Sequence, residues 1–104
     1  MSEIGSVLLA IKYASRQRDE LAMASARVER NLSFAQNQMA QLVSYAADTD
    51  IRWTGSATRG LSPELVRHQY QFMDRLQQAI ALQTSVLASV GRQLEQAKAN
   101  LLRA

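Results

Sequence analysis

The side chains that most often carry out chemistry are few in this sequence, and they stand apart from one another. The chain of 104 residues has no cysteine and a single histidine, so disulfide bonds and thiolate metal sites are excluded. His68 has no carboxylate four residues further on, as a helical metal site would require. Asp48 and Asp50 are neighbouring carboxylates, but short polar side chains of this kind also end helices. We therefore predict that the chain is not an enzyme and holds no metal or cofactor.

Charge and hydropathy narrow the remaining classes of protein. The formal net charge is +3, and acidic and basic residues are mixed along the chain. Such a mixture is typical of solvated helix surfaces, so we do not expect nucleic-acid binding. The apolar run at 7–11 has no basic leader and is far shorter than the ~20 residues of a membrane helix. We predict a soluble, cytoplasmic protein without direct membrane insertion.

One apolar register, with steps of three and four residues, runs through the first half of the chain. A repeat of 3.5 residues keeps one seam turned towards a partner helix, which is the pattern of a coiled coil. We predict a first helix over about residues 4–47. The seam positions are Ile4, Val7, Ile11, Ala14, Arg18, Leu21, Ser25, Val28, Leu32, Ala35, Met39, Leu42 and Ala46.

A second helix with the same rhythm is predicted over about residues 63–103. Ser62 supplies a capping oxygen and Pro63 suits the first helical position. Gly91 lies inside this helix, where a close approach of another helix or a gentle kink would explain it. Its seam reads Val66, Gln69, Met73, Leu76, Ile80, Gln83, Leu87, Val90, Leu94, Ala97 and Leu101. A second column at sevenfold spacing contains Leu65, Phe72, Ala79 and Val86.

The bend between the helices is predicted at about residues 48–62. The polar residues 48–50 favour leaving the helix, and Gly55 and Gly60 adopt positive φ at little cost. Trp53 lies within this segment. Packing of Trp53 against the helix ends is the favoured interpretation, and an exposed contact is the alternative.

These elements predict an all-α fold, a long antiparallel two-helix coiled-coil hairpin that forms a single domain over 1–104. The favoured pairing places Leu32 opposite Leu76 and Ser25 opposite Gln83. In this pairing Leu94 faces Ala14 and Met73 faces Ala35, so large seam residues face small ones. A slide of one heptad is the alternative, because it separates the polar pair. Polar residues at several layers of the seam indicate a coiled coil that is less stable but has a better defined register between its helices.

A surface beside the bend is the best candidate for function. Gln38, Leu42 and Tyr45 share one helical face, and Phe72, Leu76, Ala79 and Gln83 share another. Leu42 and Leu76 also satisfy the seam pattern, so a purely structural role is the alternative for them. Tyr45 and Phe72 lie off the seam, and exposed aromatic side chains often mark binding sites.

Several stretches together resemble the FliJ family of flagellar export proteins. The first is 38–45, Gln-Met-Ala-Gln-Leu-Val-Ser-Tyr, followed by Gly-Leu-Ser-Pro at 60–63. The third is 69–80, Gln-Tyr-Gln-Phe-Met-Asp-Arg-Leu-Gln-Gln-Ala-Ile, followed by Gln83. The likeness spans most of the chain. This sequence has Thr49 where the family has a tyrosine, and Gln83 where the family can have histidine.

The resemblance implies a component of the flagellar type III export apparatus, peripheral to the inner membrane at the flagellar base. The implied partners are the export ATPase ring, the cytoplasmic domain of the transmembrane export-gate protein, and export chaperones. The resemblance also implies a stalk-like role in linking the ATPase ring to the gate, with the ATPase contacts remote from the bend. The family's second helix continues for several more turns, which implies a C-terminally truncated form here. The implied gate-binding face consists of Gln38, Leu42, Tyr45, Phe72, Leu76 and Ala79.

Two other classes of protein remain as alternatives. Trp53 and Gly55 form a Trp-x-Gly at the predicted bend, which resembles the small secreted WXG-type helical hairpins. That alternative predicts a stable four-helix dimer, whereas the stalk-like protein would be an elongated monomer in dilute solution. A generic coiled-coil adaptor would bind none of the flagellar partners.

Overall fold

Two helices make up almost all of the described chain. The structure is a computed structural model, and it describes residues 2–57, 60 and 62–104. Helix α1 spans Ser2–Ala57 and helix α2 spans Pro63–Arg103, and no strand occurs among these residues. The predicted fold class, an all-α antiparallel coiled-coil hairpin, is confirmed.

Helix α1 continues through residues 48–57, where the sequence predicted a bend. Thr54 Oγ1 donates a hydrogen bond to the Asp50 carbonyl oxygen at 2.9 Å, so this side chain is satisfied within the helix. Asp, Thr and Gly each cost only about 1 kcal/mol or less in a helix. Trp53 is half-buried, and its ring meets the Tyr70 ring edge-to-face at 6.3 Å. Packing against α2 therefore outweighs the weak local preference for leaving the helix, and the favoured interpretation of Trp53 is correct.

The start of α2 follows from local chemistry at Ser62. The Leu65 amide donates to Ser62 Oγ at 3.3 Å, and the Val66 amide donates to the Ser62 carbonyl oxygen at 3.1 Å. These bonds satisfy amides that the first turn of a helix leaves without partners. Just before them, Gly60 has a φ of 71°, a left-handed conformation that residues with a Cβ rarely adopt. The reversal of the chain is therefore built around a glycine and a capping serine.

The chain divides into two compact units, which are described separately. Unit 2 comprises residues 34–88 and contains the bend with the adjoining parts of both helices. Its buried apolar residues are Ala35, Ala46 and Leu76. Small residues at two of these positions allow the helix backbones to approach closely. Met39, Leu42, Met73 and Ile80 are half-buried around them.

The pairing of the helices within unit 2 differs from the predicted one. Gln83 Nε2 donates to the Ala35 carbonyl oxygen at 2.9 Å, whereas the favoured prediction placed Gln83 opposite Ser25. The observed partner lies about three helical turns further along α1. The physical reason is the length of α1. Because α1 extends to Ala57, the bend lies later in the chain, and each α2 residue faces a later residue of α1.

Unit 1 comprises residues 1–33 and 89–104. Ser25 and Leu94 are its buried residues, and no buried side-chain nitrogen or oxygen in the described part of the chain lacks a hydrogen-bond partner. Leu21 is the first α1 residue with substantial burial. The predicted seam residues before it are exposed, including Ile4 at 70% and Ile11 at 58%. Because α2 is paired with later residues of α1, no described residue of α2 lies opposite the turns that contain Ile4 and Ile11, and their seam role stays a prediction.

Two glycines are expected to respond in opposite directions to replacement by alanine. Gly60→Ala should lower the free energy of unfolding by about 1 kcal/mol, because a Cβ is strained at positive φ. Gly91 lies inside α2, and a Cβ built there meets nothing within 4 Å, so no close approach explains this glycine. Gly91→Ala should therefore raise the free energy of unfolding by about 1 kcal/mol. Urea unfolding followed by circular dichroism at 222 nm measures both changes. A destabilised Gly91→Ala variant would contradict the open space at this position.

Candidate partner-binding surface

The six residues predicted to form the surface beside the bend all lie in unit 2. Gln38, Leu42 and Tyr45 are in α1, and the other three are in α2. The antiparallel pairing brings the two predicted faces together. The rings of Tyr45 and Phe72 meet edge-to-face, with centroids 5.9 Å apart and planes at 75°. This geometry is a favourable arrangement of two aromatic quadrupoles, so one contact joins the two halves of the surface.

Burial divides the six residues into an exposed group and a supporting group. Tyr45 is 53% exposed and Phe72 is 36% exposed, and Gln38 is also exposed. Leu42 and Ala79 are half-buried. Leu76 is only 8% exposed, so its side chain belongs to the core of unit 2. Leu76 therefore has the structural role in the seam that was given as the alternative for it.

Two shallow grooves flank the aromatic contact. The first has a volume of about 490 Å³ and is lined by Gln38, Gln41, Leu42, Tyr45 and Gln83. The second has a volume of about 450 Å³ and is lined by Leu65, His68, Gln69, Gln71, Phe72 and Arg75. Amide side chains dominate the first groove, and one cation and one histidine border the second. Grooves of this kind accept side chains of a protein partner, since apolar and aromatic walls are combined with a few polar groups.

Gln83 lines the first groove, on the α2 face where its spacing after Ala79 predicted it, and it is also a seam residue. Its Nε2 atom donates to the Ala35 carbonyl oxygen and lies 3.4 Å from Gln38 Oε1. The second distance is long for a hydrogen bond, so the main effect of this contact is to anchor the Gln83 side chain to the α1 backbone.

The residues with potential for chemistry remain separate. His68, Asp48 and Asp50 are all exposed. In the part of the chain that the structure describes, no three His, Cys, Asp or Glu side chains are grouped as metal ligands. Among the described residues, no helix combines the length and the apolar character needed to cross a membrane.

The fold defines an all-α coiled-coil hairpin with aromatic and amide side chains exposed beside the bend. Residues 8–104 match the model of a family described as the flagellar FliJ protein. The chain therefore belongs to the FliJ family. It is a non-enzymatic component with a role in flagellar export, flagellum biogenesis and protein transport. Comparisons with curated proteins and with solved structures gave no match.

Family membership settles the choice among the classes that the sequence left open. The resemblance read from 38–45, 60–63 and 69–80 is confirmed. The WXG-type alternative rested on a Trp-x-Gly at the bend, whereas Trp53 and Gly55 lie within α1. That motif is therefore part of a continuous helix.

The Tyr45–Phe72 contact can be measured by a double-mutant cycle. Tyr45→Ala, Phe72→Ala and the double variant should give a coupling free energy of about 1 kcal/mol in urea unfolding, because edge-to-face ring pairs contribute roughly this much beyond area burial. Tyr45→Ala combined with Phe34→Ala is the control. These two side chains lie three turns apart on α1, so their effects should add. Additivity in the Tyr45–Phe72 cycle would show that the rings do not interact in solution.

Proposed function

We propose that this chain links the flagellar export ATPase ring to the cytoplasmic domain of the transmembrane export-gate protein and handles export chaperones. In this proposal the chain is cytoplasmic and peripheral to the inner membrane at the flagellar base. Family membership supports the export role. The observation that carries the gate contact is the exposed Tyr45–Phe72 pair, which unites the two helices of unit 2 in one surface.

The chemistry of this pair suits protein recognition. Aromatic side chains dominate the energetics of protein interfaces because they bury a large area while losing few rotatable bonds. Tyr45 and Phe72 are both on helices, and each is held by the ring of the other. Their positions are set before a partner arrives, which reduces the entropy lost on binding. Leu76 lies in the core of unit 2 beneath this surface, and Gln38, Leu42 and Ala79 complete the set of six residues that we assign to the gate.

The ATPase contact is assigned to unit 1. Residues 2–20 of α1 are exposed throughout, and they include an apolar stripe at Ile4, Val7 and Ile11 with the i, i+3, i+7 spacing of one helical face. These three residues belong to the predicted seam. The assignment of the ATPase contact to unit 1 is supported by the family resemblance, which implies ATPase contacts remote from the bend. Chaperone handling rests on family membership alone.

The gate contact is tested by measuring affinity for the gate's cytoplasmic domain from the same organism. Phe72→Ala should weaken binding about tenfold, or about 1.4 kcal/mol, because the ring loses its contact area and no longer supports Tyr45. Tyr13→Ala is the matched control, since Tyr13 is a 68% exposed aromatic residue in unit 1, and its affinity should be unchanged. Equal losses for both variants, or no binding by the intact chain, would refute the gate contact at this surface.

Binding to the export ATPase and binding to the gate domain should be weakened by different substitutions in the same chain. Ile11→Ser is expected to weaken binding to the export ATPase about tenfold while leaving the affinity for the gate domain unchanged. Isoleucine and serine have similar helix propensities, so α1 should persist. Phe72→Ala should give the reverse pattern. Circular dichroism confirms the helical content of each variant. Loss of both interactions in Ile11→Ser would indicate that unit 1 does not have a separate binding role.

A further inference from the structure

Beyond the six residues assigned to the gate, several other large apolar residues of unit 2 are exposed, and three of them lie on the side of that surface remote from the bend. Phe34 is 65% exposed, Leu82 is 70% exposed and Val86 is 44% exposed. Val86 follows Phe72 and Ala79 at sevenfold spacing, so it continues the same column of α2. Leu82 lies one turn before Val86 on the neighbouring column.

The observed pairing of the helices places Phe34 of α1 at the same level of unit 2 as Leu82 and Val86 of α2. Phe34 precedes Ala35, whose carbonyl oxygen accepts the hydrogen bond from Gln83 Nε2. Phe34 also lies one helical turn before Gln38, a member of the proposed gate surface. Gln83 lies between Leu82 and Val86 in the sequence. The three apolar residues are therefore grouped at one level of the paired helices, next to the groove that Gln83 lines.

Charge is missing from the same part of unit 2. Residues 34–47 of α1 and 76–88 of α2 contain no Asp, Glu, Lys, Arg or His. The Gln83–Ala35 contact places much of these two stretches side by side. In a coiled coil exposed to water, the positions flanking the seam usually carry Glu and Lys. Exposed apolar side chains without neighbouring charges are instead typical of a surface that another protein covers.

We propose that the gate-binding surface extends along unit 2 to Phe34, Leu82 and Val86, and that its occupant is an uncharged, amphipathic helix of the gate's cytoplasmic domain. This inference rests on the proposed gate contact. A helix suits the surface because Phe72, Ala79 and Val86 repeat every seven residues, about 10 Å apart along α2. Ridges with this spacing accept the side chains of a third helix laid along the groove. Along residues 34–47 and 76–88 a charged partner face would lose its hydration without meeting an opposite charge, whereas Arg75 lies only at the Phe72 end of the surface.

The experiment measures the affinity of the intact chain and its variants for the gate's cytoplasmic domain. Phe34→Ala and Leu82→Ala should each weaken binding about fivefold, and both retain good helix formers, so the hairpin should persist. Met23→Ala is the matched control, because Met23 is 70% exposed and lies in unit 1, and its affinity should not change. Circular dichroism verifies the helical content of all three variants.

Ionic strength provides a second readout that a structural defect would not reproduce. Affinity should change less than about twofold between roughly 50 mM and 500 mM salt, because screening acts on charge pairs and leaves apolar contacts intact. A steep loss of affinity with salt would overturn the uncharged partner helix. If Phe72→Ala weakens binding while Phe34→Ala and Leu82→Ala do not, the surface ends at Tyr45 and Phe72 and the extension is refuted. Absence of binding by the intact chain would refute the gate contact and the extension together.

Discussion

The position of the bend is the constraint on which the described contacts of unit 2 depend. In an antiparallel hairpin, the residue at which the chain reverses decides which side chains meet, since both helices advance by the same rise per residue. Here the reversal is set by the positive φ of Gly60 and by the cap that Ser62 provides. The Gln83–Ala35 hydrogen bond and the Tyr45–Phe72 contact follow from that position.

The narrowness of a two-helix coiled coil explains why surfaces carry the function of this FliJ-family member. Two helices bury only the seam between them, and in unit 2 the buried apolar residues are Ala35, Ala46 and Leu76. The flanking columns stay in water, so Tyr45 and Phe72 are exposed even though they contact each other. The exposed aromatic residues therefore lie next to the core and are held in place by the same packing that stabilises the hairpin.

Polar residues in the seam give the pairing its specificity. Gln83 reaches across to the Ala35 carbonyl oxygen of α1, where the small alanine side chain leaves room for the amide. A slip of one heptad would bring Gln83 to the carbonyl of Val28 or Leu42, whose larger side chains hinder this approach. Ser25 is buried in unit 1, and no buried side-chain nitrogen or oxygen among the described residues lacks a hydrogen-bond partner. The seam thus exchanges some hydrophobic stabilisation for a defined register.

The sequence by itself determined the fold class and the start of α2, because heptad spacing and the Ser62-Pro63 cap are local signals. The family followed from the resemblance carried by 38–45, 60–63 and 69–80. The spacing also identified Tyr45 and Phe72 as off-seam aromatic residues and placed Gln83 on the face of Phe72 and Ala79. The sequence did not determine where α1 ends, since the weak preferences of Asp50, Thr54 and Gly55 compete with packing against α2. The pairing, the burial of Leu76 and the hydrogen bond from Gln83 to the Ala35 carbonyl oxygen were decided by tertiary structure, because each depends on which residues of the other helix lie opposite.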